Sequence, residues 1–244
     1  MNNDRLTTSL LVAHAFSFAI SAIIIKSFWE FENASRALAF YGVYHRYGWN
    51  QFIHFFGVPG IIYSLLIFLV HVPIPLLGKF SINYGNFMAI CYNLYYLSID
   101  PLGAVLYAPI IYAMYTSAVH LRSTDQALAQ TQAKASTTNA KPTIEWYGTG
   151  KALQFGLVVH VFCWYIQIHL GHEIIEGAKP AVLNGLGGAL SVAPLFAFYE
   201  GLWLLGINQQ LQESTQLLVD QYTQELCSEH GIDFMSVCRT ILTQ

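Results

Sequence analysis

Residues 52–72 read FIHFFGVPGIIYSLLIFLVHV, a stretch without one Asp, Glu, Lys or Arg. A helix that crosses a bilayer needs about 20 mostly apolar residues, and this segment meets that requirement. It is the strongest part of a charge-free run from Tyr47 to Gly78. Further apolar segments lie on both sides of it. One covers roughly 6–28. Another runs from Ile82 to Leu121 and is broken at Asp100-Pro101, which predicts two shorter helices, about 84–99 and 102–120. Two more cover 152–170 and about 182–206. Pro59-Gly60, Pro73, Pro75 and Pro109 interrupt the pattern, so some segments are expected to be short or re-entrant. The reading is an all-α, polytopic integral membrane bundle with five to six membrane segments.

Composition agrees. Of 244 residues, 55% are hydrophobic, 15% aromatic and only 10% charged, against about 25% charged in ordinary soluble domains. Mean hydropathy is +0.44. These values exclude a disordered chain, a nucleic-acid partner and a typical soluble enzyme. Membrane lipid is the expected surrounding. The cysteines Cys91, Cys163, Cys227 and Cys238 form no C-x-x-C pair and read as buried free thiols. The N-terminal apolar run lacks a clear cleavage site and reads as a retained helix.

Three regions follow. Residues 1–36 form an additional N-terminal membrane helix and linker. Residues 37–206 form the membrane catalytic region, with a Gln- and Thr-rich polar loop at 122–150. The first part of that loop can be helical, and its basic excess places it on the cytoplasmic side. Residues 207–244 form an amphipathic tail, with Leu211, Leu217, Leu218, Tyr222 and Leu226 near helical spacing.

Nine histidines stand out in so apolar a chain, because polar groups inside lipid are costly and mark function. His45 and His54 are nine apart and would oppose each other on one straight helix. A turn at Gly48 would bring them to one site. Asn50 and His54, at i and i+4, share a face, which makes Asn50 an orienting partner. An interfacial belt of polar and aromatic residues is the competing reading. Farther along, His169 and His172 are three apart and Glu176 follows at i+4 from His172. On an α-helix all three share one face. Two imidazoles and a carboxylate suit non-haem Fe(II) with open positions; a helix end in headgroup water is the alternative. His14, His71, His120, His160 and His230 read as isolated core or interface residues. Glu200 lies in the last apolar segment, either supporting the site or reaching an interface.

The patterns Tyr44-His45, Asn50, Ile53-His54, Val58-Pro59 and Gly171-His172, Glu176, Pro180-Ala181, then Ala193-Pro194 and Glu200, resemble the metal-dependent 2-hydroxy fatty acid dioxygenases of fungal α-oxidation. The resemblance covers roughly 37–205. It implies an Fe(II)-dependent integral membrane enzyme that uses O2 to convert a long-chain 2-hydroxy fatty acid to one a carbon shorter. It also implies an endoplasmic-reticulum setting and a place in phytosphingosine breakdown, and it makes His45, His54 and His172 essential. In a bacterium the inner membrane is the corresponding location. The N-terminal helix, the polar loop and the long tail depart from the family. So does the run Gln167-Ile-His-Leu-Gly-His172, where the family often has Q-x-x-G-H, one position shorter. His169 is therefore a ligand candidate on spacing alone.

The expected site holds one iron ion or two on His45, His54, His169 and His172, with Glu176 as a further ligand or proton-handling group. Arg46 and Lys179 are candidates for pairing with the substrate carboxylate, or for snorkelling to the interface. Two rival classes stay open at this point. A desaturase or hydroxylase would carry several short histidine boxes, of which only His169–His172 is present. A transporter or scaffold would carry no metal, and a haem protein would show a Soret band.

Overall fold

The computed structural model describes residues 3–75, 82–135, 146–177 and 186–229. These fold into helices α1 (Asn3–Lys26), α2 (Ala34–Gly42), α3 (Gly48–Val70), α4 (Tyr84–Ile99), α5 (Pro101–Ala135), α6 (Lys151–Tyr165), α7 (Leu186–Leu204) and α8 (Gln209–Glu229). A π-helical segment, Ile166–Glu176, continues α6 without a break. No strand is present among the described residues beyond one isolated bridge between Pro73 and Asn83.

The segment that opened the sequence reading is the centre of the bundle. Helix α3 packs against α4, α5, α6, the π segment and α7. Of its most apolar window 61% is buried, against 17% for α1 and 17% for the α6–π span. Helix α3 is thus a core element, while α1 packs against α7 and α4, and α2 against α7 and α8. The outer face carries Phe16, Phe18, Val158, Val161 and Phe162, all exposed. A bilayer would cover such a surface and needs no buried moment to hold it. Four helical stretches, Thr7–Trp29, Gly48–Val70, Pro101–Ala135 and Lys151–Glu176, are long and apolar enough to cross a membrane. The shorter α4 and the deeply buried α7 complete the bundle.

Local sequence sets the boundaries. Asn33 and Asn83 cap α2 and α4, accepting from the amides of Arg36 (3.0 Å) and Asn86 (2.9 Å). Helix α4 ends at Asp100 and α5 begins at Pro101, where a missing amide is harmless. Asp100 accepts from the Gly103 amide at 3.0 Å and from the Tyr199 hydroxyl. Helix α5 does not stop near residue 120. The stretch RSTDQALAQTQAKA contains neither Gly nor Pro and is rich in good helix formers, so the helix runs on to Ala135. Its extension carries Asp125 to the start of α6, where the carboxylate accepts from the amides of Gly150 (3.1 Å) and Ala152 (3.4 Å) and from the Thr149 hydroxyl. The amphipathic tail is helical as α8, but it packs against α2 and buries Thr215, Val219 and Thr223. Residues 136–145, 178–185 and 230–244 lie outside the described residues. Cys91 and Cys163 are free thiols.

Helix α7 contains Pro194, which removes one amide from its ladder. The carbonyl that amide would have served, Leu190, accepts instead from the Tyr92 hydroxyl at 2.9 Å, and the Ser191 carbonyl from Tyr96 at 2.9 Å. Tyr92 of α4 thus replaces the bond that the proline removes, and Tyr96 adds a second bond one residue on. We expect Tyr92→Phe to lower stability by roughly 1 kcal/mol, read as a lower midpoint in thermal unfolding, with the helical content unchanged.

Candidate metal centre

The chain leaves α2 at Gly42, turns through Val43–Tyr47, and enters α3 at Gly48. His45 sits in that turn and is 2% exposed; His54, one and a half turns into α3, is 2% exposed. The change of direction ahead of Gly48 places the two rings 4.3 Å apart, centre to centre. His172 of the π segment completes a triangle, 4.8 Å from His45 and 4.9 Å from His54. The three rings stand edge to face, and their candidate ligand atoms all lie within 4.8 Å of one another. Tyr41 stacks flat on His45 at 4.1 Å.

Protons can be assigned from the partners. His45 Nδ1 lies 2.8 Å from the Tyr41 carbonyl and His54 Nδ1 2.9 Å from the Asn50 carbonyl. A carbonyl can only accept, so each Nδ1 carries the proton and each Nε2 presents a lone pair. Burial, and then the neighbouring rings of His54 and His172, push the His45 pKa well below the ordinary imidazole range, which keeps it neutral. His45 Nε2, His172 Nδ1 and Asn50 Oδ1 are buried without a hydrogen-bond partner. Imidazoles fixed through one nitrogen by a backbone carbonyl, with the other nitrogen free, are what a metal-ligating set requires. The donor set fits a metal ion.

The π segment explains which expected residues meet. An i→i+5 turn is wider than an α turn, so each residue advances by less than about 100°. Positions three apart then separate, while positions four apart stay aligned. His172 and Glu176 share the inward face. His169 does not join them: its side chain is 42% exposed and bonds to Glu173 at 2.6 Å. The three-apart spacing that put His169 beside His172 holds only for an α-helix.

Glu176 is 3% exposed and both its oxygens are engaged. Oε1 accepts from the Arg46 amide at 2.8 Å, and Oε2 from the Tyr47 amide at 3.2 Å and Asn50 Nδ2 at 2.9 Å. It stands at the start of α3, where the helix dipole favours a negative charge. Asn50 thus touches both the carboxylate and, through its backbone carbonyl, His54. The Arg46 guanidinium points to α8, reaching Asp220 and Thr223 at 3.5 and 3.4 Å. Lys179 lies outside the described residues. His160 accepts from Trp164 Nε1 at 3.0 Å and donates to Ser64, which itself donates to the Ile61 carbonyl. That chain is complete within itself.

Glycines set how closely α3 and the π segment approach. A methyl at Gly171 would land on the Asn50 side chain and 3.3 Å from the His54 ring; one at Gly57 would strike Gln167 at 2.7 Å. Neither glycine, nor Tyr41, was singled out from spacing, although Gly171 adjoins His172 in the motif. Two cavities flank the histidines. A small one of about 40 Å³ touches His54 and His172 and is walled by Val58, Ile61 and Ala193. A larger one, about 550 Å³, touches His45 and Arg46.

The fold and this centre define a class: a helical bundle with membrane-length apolar helices and a buried three-histidine group able to hold a metal. A family model described as 2-hydroxy-palmitic acid dioxygenase Mpo1-like matches residues 31–202, more than two thirds of the chain. The chain belongs to this family. No curated protein and no solved structure matches it. Helices α1 and α8 lie outside the matched residues.

Removing Glu176 leaves three donors without an acceptor. Glu176→Ala is expected to cost about 2–3 kcal/mol. Hydrogen exchange checks this: the amides of Arg46 and Tyr47 should exchange faster, while those of α4 keep their protection.

Proposed function

We propose that this protein is an Fe(II)-dependent, multi-pass membrane dioxygenase that converts long-chain 2-hydroxy fatty acids to acids one carbon shorter. The observation that carries the reading is the buried triangle of His45, His54 and His172, lying wholly within the residues matched by the dioxygenase family. Three imidazoles suit zinc, copper, nickel or iron alike. Zinc has no redox chemistry, so a dioxygenase activity calls for a redox-active occupant, and among these iron is the one that the family resemblance implies. A 2-hydroxy acid and one O2 balance as the shortened acid, carbon dioxide and water, so the reaction needs no external reductant.

His45, His54 and His172 would hold the ion. When bound, it supplies dioxygen activation and open coordination positions. Asn50 and Glu176 position the ligands, because they fix the start of α3 against the π segment. Arg46 and Lys179 are the cations available to a substrate carboxylate. The acyl chain lies among the apolar side chains that line the bundle, and lipid delivers it. The membrane is the endoplasmic reticulum in a eukaryotic cell or the inner membrane in a bacterium, and breakdown of phytosphingosine-type lipids is a source of such acids.

The test is metal content of detergent-purified protein, with oxygen uptake on 2-hydroxypalmitate after anaerobic loading. About one iron per chain is expected, lost in His172→Ala and retained in His169→Ala. Absence of bound metal together with absence of oxygen uptake would overturn the reading in favour of a transporter or scaffold. Gly171→Ala should weaken iron binding by about 10- to 100-fold, in the range of losses seen when groups that support metal ligands are disturbed. Gly48→Ala meets nothing within 4 Å and should leave it unchanged.

A further inference from the structure

The small cavity lies where α3, the π segment and α7 meet. Val58, Ile61 and Ile62 of α3 and Ala189, Leu190 and Ala193 of α7 line it, together with His54 and His172. Ala189 and Ala193 are four apart on α7 and share one face. Their methyl side chains leave a space that larger residues would close. Protein interiors are otherwise packed as densely as organic crystals, and a void beside a buried donor set forfeits contacts. The space is small, about 40 Å³. A single water takes about 10–15 Å³, so there is room for roughly two or three heavy atoms. A carboxylate head with its hydroxyl-bearing carbon and chain does not fit. Among the described residues no Lys or Arg lines the cavity, so an anion there would lack a counter-charge in an apolar space. Water is also poorly served. A buried water needs about two to four polar partners, and three N–H donors of the wall are committed elsewhere. Gln167 Nε2 donates to the Cys163 carbonyl at 2.9 Å, Trp164 Nε1 to His160 at 3.0 Å and His54 Nδ1 to the Asn50 carbonyl at 2.9 Å. One lining residue, Ile168, is also 40% exposed. The cavity wall therefore runs from the two histidines to the surface that a bilayer would cover.

We propose that this cavity is a binding pocket for dioxygen, fed from the hydrocarbon of the bilayer. This rests on the proposed function above. Dioxygen is diatomic, uncharged and apolar. It needs no hydrogen-bond partner and dissolves better in hydrocarbon than in water. The larger cavity, lined by Glu200 of α7 and Val219 of α8 among others, touches His45 and neither His54 nor His172. The two cavities thus reach the donor set through different histidines. The acid takes the larger one, and dioxygen is held beside His54 and His172. Ala189 and Ala193 set the capacity of the pocket.

Dioxygen itself is the probe. Full-length protein in nanodiscs, with diamagnetic zinc added to occupy the centre, is labelled at its methyl groups and held under dioxygen pressure. Dioxygen is paramagnetic and speeds the relaxation of nearby methyls. Those of Val58 and Ile61 are expected to relax in proportion to its pressure, while the fully buried Ile67 and Leu69, which line neither cavity, change little. Ala193→Leu should remove the effect at Val58 and Ile61 and leave it at the outward-facing Val158 and Val161. In the iron-loaded enzyme the same variant should raise the KM for dioxygen on the order of fivefold or more. The KM for 2-hydroxypalmitate, the kcat at saturating dioxygen and the iron content should not change. Ala189→Val fills the same space from one turn away and should act in the same direction, so the test stands even if Ala193→Leu fails to fold. Silent Val58 and Ile61 methyls in wild type overturn the proposal and leave water as the occupant. An unchanged KM for dioxygen in a variant whose methyls have fallen silent also overturns it, assigning the cavity to packing. So does loss of iron in both variants, which assigns the two alanines to seating the ligands. If wild type consumes no oxygen with 2-hydroxypalmitate, the proposed function fails. The relaxation measurement needs no turnover and still decides whether the cavity binds dioxygen.

Discussion

The carboxylate of Glu176 joins the last turn of the π segment to the first residues of α3. Three donors converge on it from Arg46, Tyr47 and Asn50. Two are backbone amides of the turn that carries His45, and the third belongs to the residue whose carbonyl orients His54. His172 lies one turn before the carboxylate on the same face. One buried interaction thus fixes all three histidine-bearing segments relative to one another. In a low-dielectric interior such a bond cannot be exchanged for water, so leaving it unmade is costly.

That bond works only because the helices come close. Glycines at 57 and 171 remove the side chains that would hold α3 and the π segment apart. Lipid offers no hydrophobic drive for one apolar helix to join another, so close backbone approach and internal hydrogen bonds must supply it. Tyr92 of α4 does the same for α7, using its hydroxyl where Pro194 has opened the ladder, and Tyr96 adds a bond one residue on. Polar groups here are the means of association, and they are placed at backbone defects and at helix starts rather than spread over the helix faces.

Much of this was legible in the sequence. The charge-free run around residues 52–72 pointed to a spanning helix, and Asp100-Pro101 marked a helix junction. Apolar length and a proline after an acidic residue are local signals, and they survive folding. The helix through Gln126 and Ala135 was harder to place, because hydropathy does not separate a polar helix from a loop, although its Ala, Gln and Lys content did. His45, His54 and His172 were readable as candidates since each sits beside a motif residue. His169 was read inward because a spacing of three means one face only if the helix is α. A π segment leaves no simple mark in hydropathy, and only the hydrogen bonding of the folded chain reveals it. The cavity beside Glu200 was likewise illegible, since α8 approaches it from far along the chain.

The order of the three histidines along the polypeptide has a consequence for biogenesis. His172 follows His54 by 118 positions, and Glu176 comes later still. Chains fold from the N-terminus as they are made, so α1 to α5 are inserted while the centre is two-thirds built. During that interval His45 and His54 have neither their third companion nor the carboxylate that seats their turn. A prematurely terminated chain, or one whose α6 fails to insert, lacks a complete donor set. A donor set able to hold a metal is thereby reserved for molecules whose insertion has run nearly to completion.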